Sequence, residues 1–213
     1  VLDRKNQLKL VSGAPNCLGI YAPTIRYHEG IFYCIVTNVG GRSGGNFFVY
    51  TTDPYGRWSN PVKLPFAGID PSLFFDEDGR IYYTGTDTGI YIAEITFDVV
   101  RNDTPKRNEL PVSIQNVKCG EKHYIWNGSG GNNPEGPHLY RIHDMYYLMI
   151  AEGGTEYCHM VTIARSKNVY GPYEACPHNP VLSNRSTCLN IKAIGHADLV
   201  EDSQGSWWAV CLG

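Results

Sequence analysis

Glu135-Gly136-Pro137-His138-Leu139, a turn at His143-Asp144, and then Met145-Tyr146-Tyr147-Leu148-Met149 form a polar-headed stretch answered by an aromatic-rich strand. The same plan occurs three more times. Tyr21-Ala22-Pro23-Thr24-Ile25 leads to Ile31-Phe32-Tyr33-Cys34-Ile35-Val36, and Asp70-Pro71-Ser72-Leu73-Phe74 leads to Ile81-Tyr82-Tyr83. His196-Ala197-Asp198-Leu199-Val200 leads to Trp207-Trp208-Ala209-Val210. A hairpin that returns about every 50–65 residues, with no helical pattern between copies, predicts an all-β fold, a β-propeller. First strands of propeller blades crowd around one axis. Tyr21, Asp70, Glu135 and His196 are therefore expected to hold one equivalent place and to face one shared pocket.

Working outward, Glu29-Gly30, Asp76-Glu77-Asp78-Gly79 and Ser203-Gln204-Gly205 read as the other hairpin turns. Third strands follow at Asn46–Thr52, Gly89–Ile95 and Met160–Ser166. Asp53-Pro54-Tyr55-Gly56-Arg57-Trp58 and Tyr170-Gly171-Pro172-Tyr173 echo one another after a third strand, with Trp58 expected to begin an outer strand. Gly40–Gly45 reads as a loop. Residues 101–133 are expected to be the least regular part, closing in a long rim loop from Asn127 to Asn133. Blades fall near 21–66, 69–115, 134–180 and 195–213, about three and a half in all for the single domain 1–213. Residues 1–20 read as the tail of an element that starts earlier. Because propellers close with about 4–8 blades, the parent protein is expected to extend at both ends.

Composition narrows the function classes. The 213 residues carry a net charge of −3, with 18% charged, 42% hydrophobic and 12% aromatic residues, including fifteen Tyr. That favours strands and a sizeable core. It argues against a nucleic-acid partner, which would call for a basic patch. No apolar run approaches a membrane span. The chain opens Val1-Leu2-Asp3-Arg4-Lys5, without Met and without a signal peptide, and reads as processed or truncated. Three Asn-x-Ser/Thr triplets (Asn102, Asn127, Asn184) decide nothing about compartment, so secreted and cytoplasmic locations both fit. Seven Cys without a Cys-x-x-Cys pair make zinc a poor fit. Cys34, Cys158 and Cys211, in or beside strands, are expected to be buried thiols. Oligomeric state is open.

Asp70 and Glu135 are the two carboxylates at blade-opening positions. Two carboxylates across a sugar-sized cleft are the equipment of glycosidic bond cleavage, one of them protonated to donate to the leaving oxygen. His196 could orient a partner, bind a hydroxyl or help hold a central cation. Tyr21 offers a face for a sugar ring. Glu152, after the strand that follows Glu135, is a further candidate, either for substrate contact or for supporting the residues that make it. A lone Asp before a strand is most often a turn or cap residue, and a lone His is most often structural; the shared place in the repeat raises these two above that reading. Asp76, Glu77 and Asp78 read as a solvated turn. Glu94 and Glu201 read as solvent-facing or structural.

At these residues the chain resembles glycoside hydrolase family 43, a family of five-bladed propellers. The resemblance rests on Gly19–Pro23, Gly68–Phe74, Pro134–Tyr140, Ile163–Ser166 and Gly195–Glu201, and is closest to the branch of β-xylosidases and α-L-arabinofuranosidases. It implies an inverting hydrolase acting at the non-reducing end of xylan- or arabinan-derived oligosaccharides. Glu135 matches the general acid, and Asp70 the carboxylate that tunes and orients it. His196 matches a histidine near the propeller centre that in some relatives helps bind calcium. No cofactor is required, and a structural calcium at the centre is compatible. Tyr21 falls where many relatives have Trp. The family's general base, an Asp in an Asn-Pro-Asp-Pro type segment, has no counterpart here, nor has an Arg that relatives carry beyond the point matching Gly213. The chain alone is therefore expected to be inactive or nearly so. A non-catalytic carbohydrate-binding propeller is the main alternative. A Trp-Asp repeat propeller is disfavoured by the missing Trp-Asp dipeptides, and a sucrose-acting one by the missing Arg-Asp-Pro.

Overall fold

The computed structural model describes residues 1–8, 15, 18–40 and 44–213. Residues 9–14, 16 and Cys17 of the tail-like segment and residues 41–43 of the Gly40–Gly45 loop lie outside the described residues. One short helix, α1 (Lys5–Leu8), precedes fifteen strands among the described residues. The chain divides into two units: Val1–Tyr83 with Ala93–Lys122, and Thr84–Ile92 with His123–Gly213.

The first unit opens with an antiparallel meander of β1 (Ile20–His28), β2 (Ile31–Asn38), β3 (Gly45–Thr51) and β4 (Val62–Lys63), paired in chain order. Glu29 and Gly30, both at positive φ (47° and 83°), make the tight turn between β1 and β2. Alternate side chains of β2 and β3 build the core: Cys34, Val36, Phe47 and Val49 pack with Trp58. Burial pushes the Cys34 thiol up to about 11, which leaves it inert. Contrary to the expectation from sequence, Trp58 does not begin the outer strand, which is β4. Its indole N–H donates to Pro54 O (3.2 Å), and its buried ring fills the core between the turn and β4. A large aromatic there is worth more as packing than as a ladder residue.

The second sheet runs β5 (Ile69–Phe75), β6 (Ile81–Thr86), β7 (Ile90–Arg101) and β8 (Val112–Cys119), with β9 (His123–Trp126) also on β7. Strands β6 and β7 pass through both units. Residues 101–133 thus hold two strands where irregular chain was expected. The long β7 has ladder groups to satisfy along its whole length; β8 pairs with its C-terminal part and β9 with its N-terminal part. Asp76 is buried rather than solvated, because its carboxylate accepts the Glu77 N–H inside the turn (2.8 Å).

The second unit carries β10 (Glu135–Ile142), β11 (Met145–Glu152), β12 (Met160–Ser166) and β13 (Glu174–Ala175) as another meander, and β14 (Gly195–Glu201) with β15 (Trp207–Leu212) as a two-stranded sheet. Tyr140, Met149, Val161 and Ala197 form its core, flanked by Ile142, Ile163, Leu182 and Leu199. The turns of the second and fourth hairpins are built alike. Gly79 N–H donates to Asp76 O and Gly205 N–H to Asp202 O, each at 3.0 Å, and each turn closes by an Asp N–H on a carbonyl four residues on. Cys158 and Cys211 are exposed, against the expectation of buried thiols, and the described cysteines are all free. Among the described residues, no helix is long and apolar enough to cross a membrane.

Candidate active site

Each unit contributes first strands interrupted in one way. In β1 the register shifts between Tyr21 and Thr24, in β10 between Glu135 and His138, and in β14 between Gly195 and Asp198. At each shift two residues on the first strand face one on its partner, a β-bulge, which re-aims a side chain without ending the strand. The residue inside the bulge has positive φ: Ala22 (37°), Gly136 (62°) and His196 (48°), and Asp70 (55°) stands at the matching point of β5.

The bulge corrects the expected register of the repeat. Tyr21 and Glu135 stand at one position, matched by Ile69 and Gly195. Asp70 and His196 stand at the next, matched by Ala22 and Gly136. The four residues do not share one place; they occupy two adjacent ones. The marker is the residue after the positive φ, which is Pro23, Pro71, Pro137 and Ala197. Positive φ costs an L residue about 1–2 kcal/mol, and such strain collects at functional sites. Asp70 and His196 bear it, and a glycine would remove it.

In the first unit, Asp70 is buried and Tyr21 exposed, with Tyr21 paired to Thr37. Ser72, two residues past Asp70, accepts from Arg26 Nη2 through its Oγ (3.2 Å).

In the second unit, a carboxylate oxygen of Glu135 and a ring nitrogen of His196 lie within 4.8 Å of each other. Gly136 makes room for that ring: a Cβ there would sit 2.6 Å from His196 Nε2. The Pro137 carbonyl, inside the bulge, accepts from Thr84 Oγ1 at 2.9 Å. Burial pushes the His196 imidazole below its ordinary value, while the Glu135 and Asp198 carboxylates pull it back up.

β14 is tied to β10 by side chains that sequence reading quoted but did not single out. Tyr140 O–H donates to Asp198 Oδ1 (2.7 Å) and accepts the Leu199 N–H (2.9 Å). His138, itself buried, places Nδ1 3.6 Å from the same Asp198 oxygen. The Tyr140 ring meets Trp207 edge-on at 6.2 Å. His159 had no sequence signal at all. It is buried, its Nδ1–H donates to Ala193 O (2.8 Å), and its ring lies where a Cβ on Gly195 would be.

Glu152 has a different place from the expected substrate contact. It is fully buried, and its carboxylate accepts from Ser129 N–H, Gly131 N–H and Thr162 O–H. Its oxygens are engaged inside the protein.

An all-β chain with a carboxylate and an imidazole gathered on bulged first strands has the outline of a carbohydrate-active propeller. The family model for glycosyl hydrolases family 43 matches residues 1–213, and the chain belongs to that family. A xylosidase/arabinosidase of Butyrivibrio fibrisolvens is 43% identical over the whole chain, which covers 41% of that protein. The non-reducing end alpha-L-arabinofuranosidase BoGH43B of Bacteroides ovatus is 46% identical over 92% of the chain, covering 34% of that protein. The solved structure of a xylan beta-1,4-xylosidase from Bacillus halodurans C-125 superposes with a TM-score of 0.80 at 34% identity, over 98% of this chain and 40% of its own. The chain thus spans about two fifths of the length of the relatives it matches. Its fold is that of a partial five-bladed β-propeller.

Proposed function

We propose that the protein carrying this chain hydrolyses O-glycosidic bonds at the non-reducing end of xylan- or arabinan-derived oligosaccharides, as a β-xylosidase, an α-L-arabinofuranosidase or both, with inversion. The names of the relatives support this reading. The single observation that carries it is Glu135 on a bulged first strand beside the half-buried His196, in a chain of family 43. In this reading the Glu135 carboxyl gives its proton to the glycosidic oxygen as the bond to the anomeric carbon breaks, and a water attacks the opposite face of the sugar. Asp70 is the carboxylate that tunes the acid, and Tyr21 stacks on the terminal sugar. No residue of this chain matches the base that would take the water's proton, so the chain alone is expected to hydrolyse little. Calcium takes six to eight oxygen ligands, whereas His196 presents nitrogen. The ring does not fit direct calcium ligation.

The test is a panel of xylo- and arabino-oligosaccharides with the full-length protein, product anomer followed by NMR. Release of the terminal sugar with inverted configuration, lost in Glu135→Gln, is the expected result. Binding without hydrolysis would instead make the protein a carbohydrate-binding propeller.

A further inference from the structure

The buried Glu152 stands apart from the proposed chemistry, yet it grips the segment that delivers Glu135. Residues 127–133 wrap its carboxylate. Ser129 N–H donates to Oε2 (2.9 Å) and Gly131 N–H to Oε1 (2.7 Å), while Thr162 O–H comes from β12 on the other side. The fit depends on glycine. A Cβ on Gly128, which has φ +83°, would lie 2.6 Å from Oε1, and one on Gly131 would lie 2.6 Å from Met160 Cε. Two further bonds close the clamp: Gly153 N–H to Asn132 O (2.6 Å) and Asn179 Nδ2 to Ser129 Oγ (2.7 Å). Only Asn133 and Pro134 separate the clamped residues from Glu135, and the ladder partner of Glu135 is Ala151, the residue before Glu152. The backbone of Glu135 is therefore held from both sides by the neighbourhood of one buried side chain.

We infer that Glu152 is a positioning residue for the general acid: its carboxylate fixes the 128–132 segment in one conformation and thereby sets where the Glu135 carboxyl meets the leaving oxygen. The inference rests on the reading of Glu135 as the acid. A misplacement of about 1 Å at a catalytic group can cost about a hundredfold in rate, so an anchor this close to the acid has leverage without touching substrate.

The leaving group provides the test. A glycosidic oxygen on a sugar needs the acid's proton, whereas a 2,4-dinitrophenolate leaves without it. In the full-length protein, Glu152→Gln is expected to lower kcat/KM on xylobiose or arabinobiose by about tenfold or more. On the matching 2,4-dinitrophenyl glycosides it is expected to stay within about threefold. Gly128→Ala, which pushes the segment off the carboxylate, is expected to show the same split and carries the test if Glu152→Gln does not fold. Equal losses on both substrates, or no loss on either, would overturn the inference and leave Glu152 a purely structural anchor. Glu135→Gln serves as the reference. A split in Glu135→Gln without one in the Glu152 and Gly128 variants sinks this inference alone; no split in Glu135→Gln sinks the assignment of the acid itself.

Discussion

Strands β10 and β14 carry the same bulge with its two positions used in opposite ways. In Glu135-Gly136 the functional side chain comes first and glycine takes the positive φ; in Gly195-His196 glycine comes first and the histidine takes it. In both, a histidine ring fills the room the glycine leaves, His196 over Gly136 and His159 over Gly195. The contrast separates two demands on a glycine. Gly136 must satisfy both backbone and space, Gly195 space alone.

The largest expected effect falls on the side chain rather than the glycine. Glu135→Gln removes the proton donor and should lower kcat on an oligosaccharide by about 10²–10⁴-fold, measured by sugar release, with the fold kept. Next come the glycines. Gly136→Ala forces positive φ on an L residue and drives a methyl into the His196 ring, so a loss of about 2–4 kcal/mol in urea unfolding is expected. Gly195→Ala meets only the His159 ring and should cost about 1–3 kcal/mol. The pair can be broken apart with second changes. His159→Ala should relieve most of the Gly195→Ala defect relative to its own background, whereas His196→Ala should leave the strained backbone of Gly136→Ala in place. Equal relief in both double variants would erase the distinction.

A smaller effect concerns the tie between the two strands. Tyr140→Phe removes the hydroxyl that bridges Asp198 and the Leu199 N–H, and should cost about 1–2 kcal/mol of stability in the same assay. The smallest is a pH effect. The His196 imidazole lies below its ordinary 6.5 because of burial. As pH falls through that ordinary value, the unfolded chain gains a proton that the folded chain resists, so stability is lost on acidification and is fully present above it. His196→Gln should flatten that fall, read as the shift in urea midpoint between neutral and mildly acidic buffer.

Strand positions and turns were legible because they are written locally, in aromatic runs such as Met145–Met149 and turn pairs such as Glu29-Gly30. Glu135, Asp70 and His196 stood out by their place at the head of each repeat. Their register was off by one because polar residues were matched to polar residues. The backbone instead keeps step with Pro23, Pro71 and Pro137. Glu152 was picked out, but its buried, loop-holding place could not be read, and His159 was not picked out at all. Two of the donors to Glu152, the Ser129 and Gly131 N–H groups, lie more than twenty residues upstream on a loop, and the room for His159 is a missing side chain on Gly195. Both depend on contacts that no local pattern encodes. The strands β8 and β9 were missed for a related reason, since they form to satisfy the exposed length of β7.

The bulged first strand also bears on how such a chain can change over generations. Its ladder bonds run through backbone atoms on either side of the irregularity, so they do not depend on which side chain stands there. An acid, an imidazole, a phenol or a bare hydrogen are all tolerated at these points in this one molecule. Where no neighbouring ring fills the space, as it does over Gly136 and Gly195, exchanging one side chain for another can alter reactivity while the ladder stays as it was, which makes such a point a socket in which selection can try new chemistry.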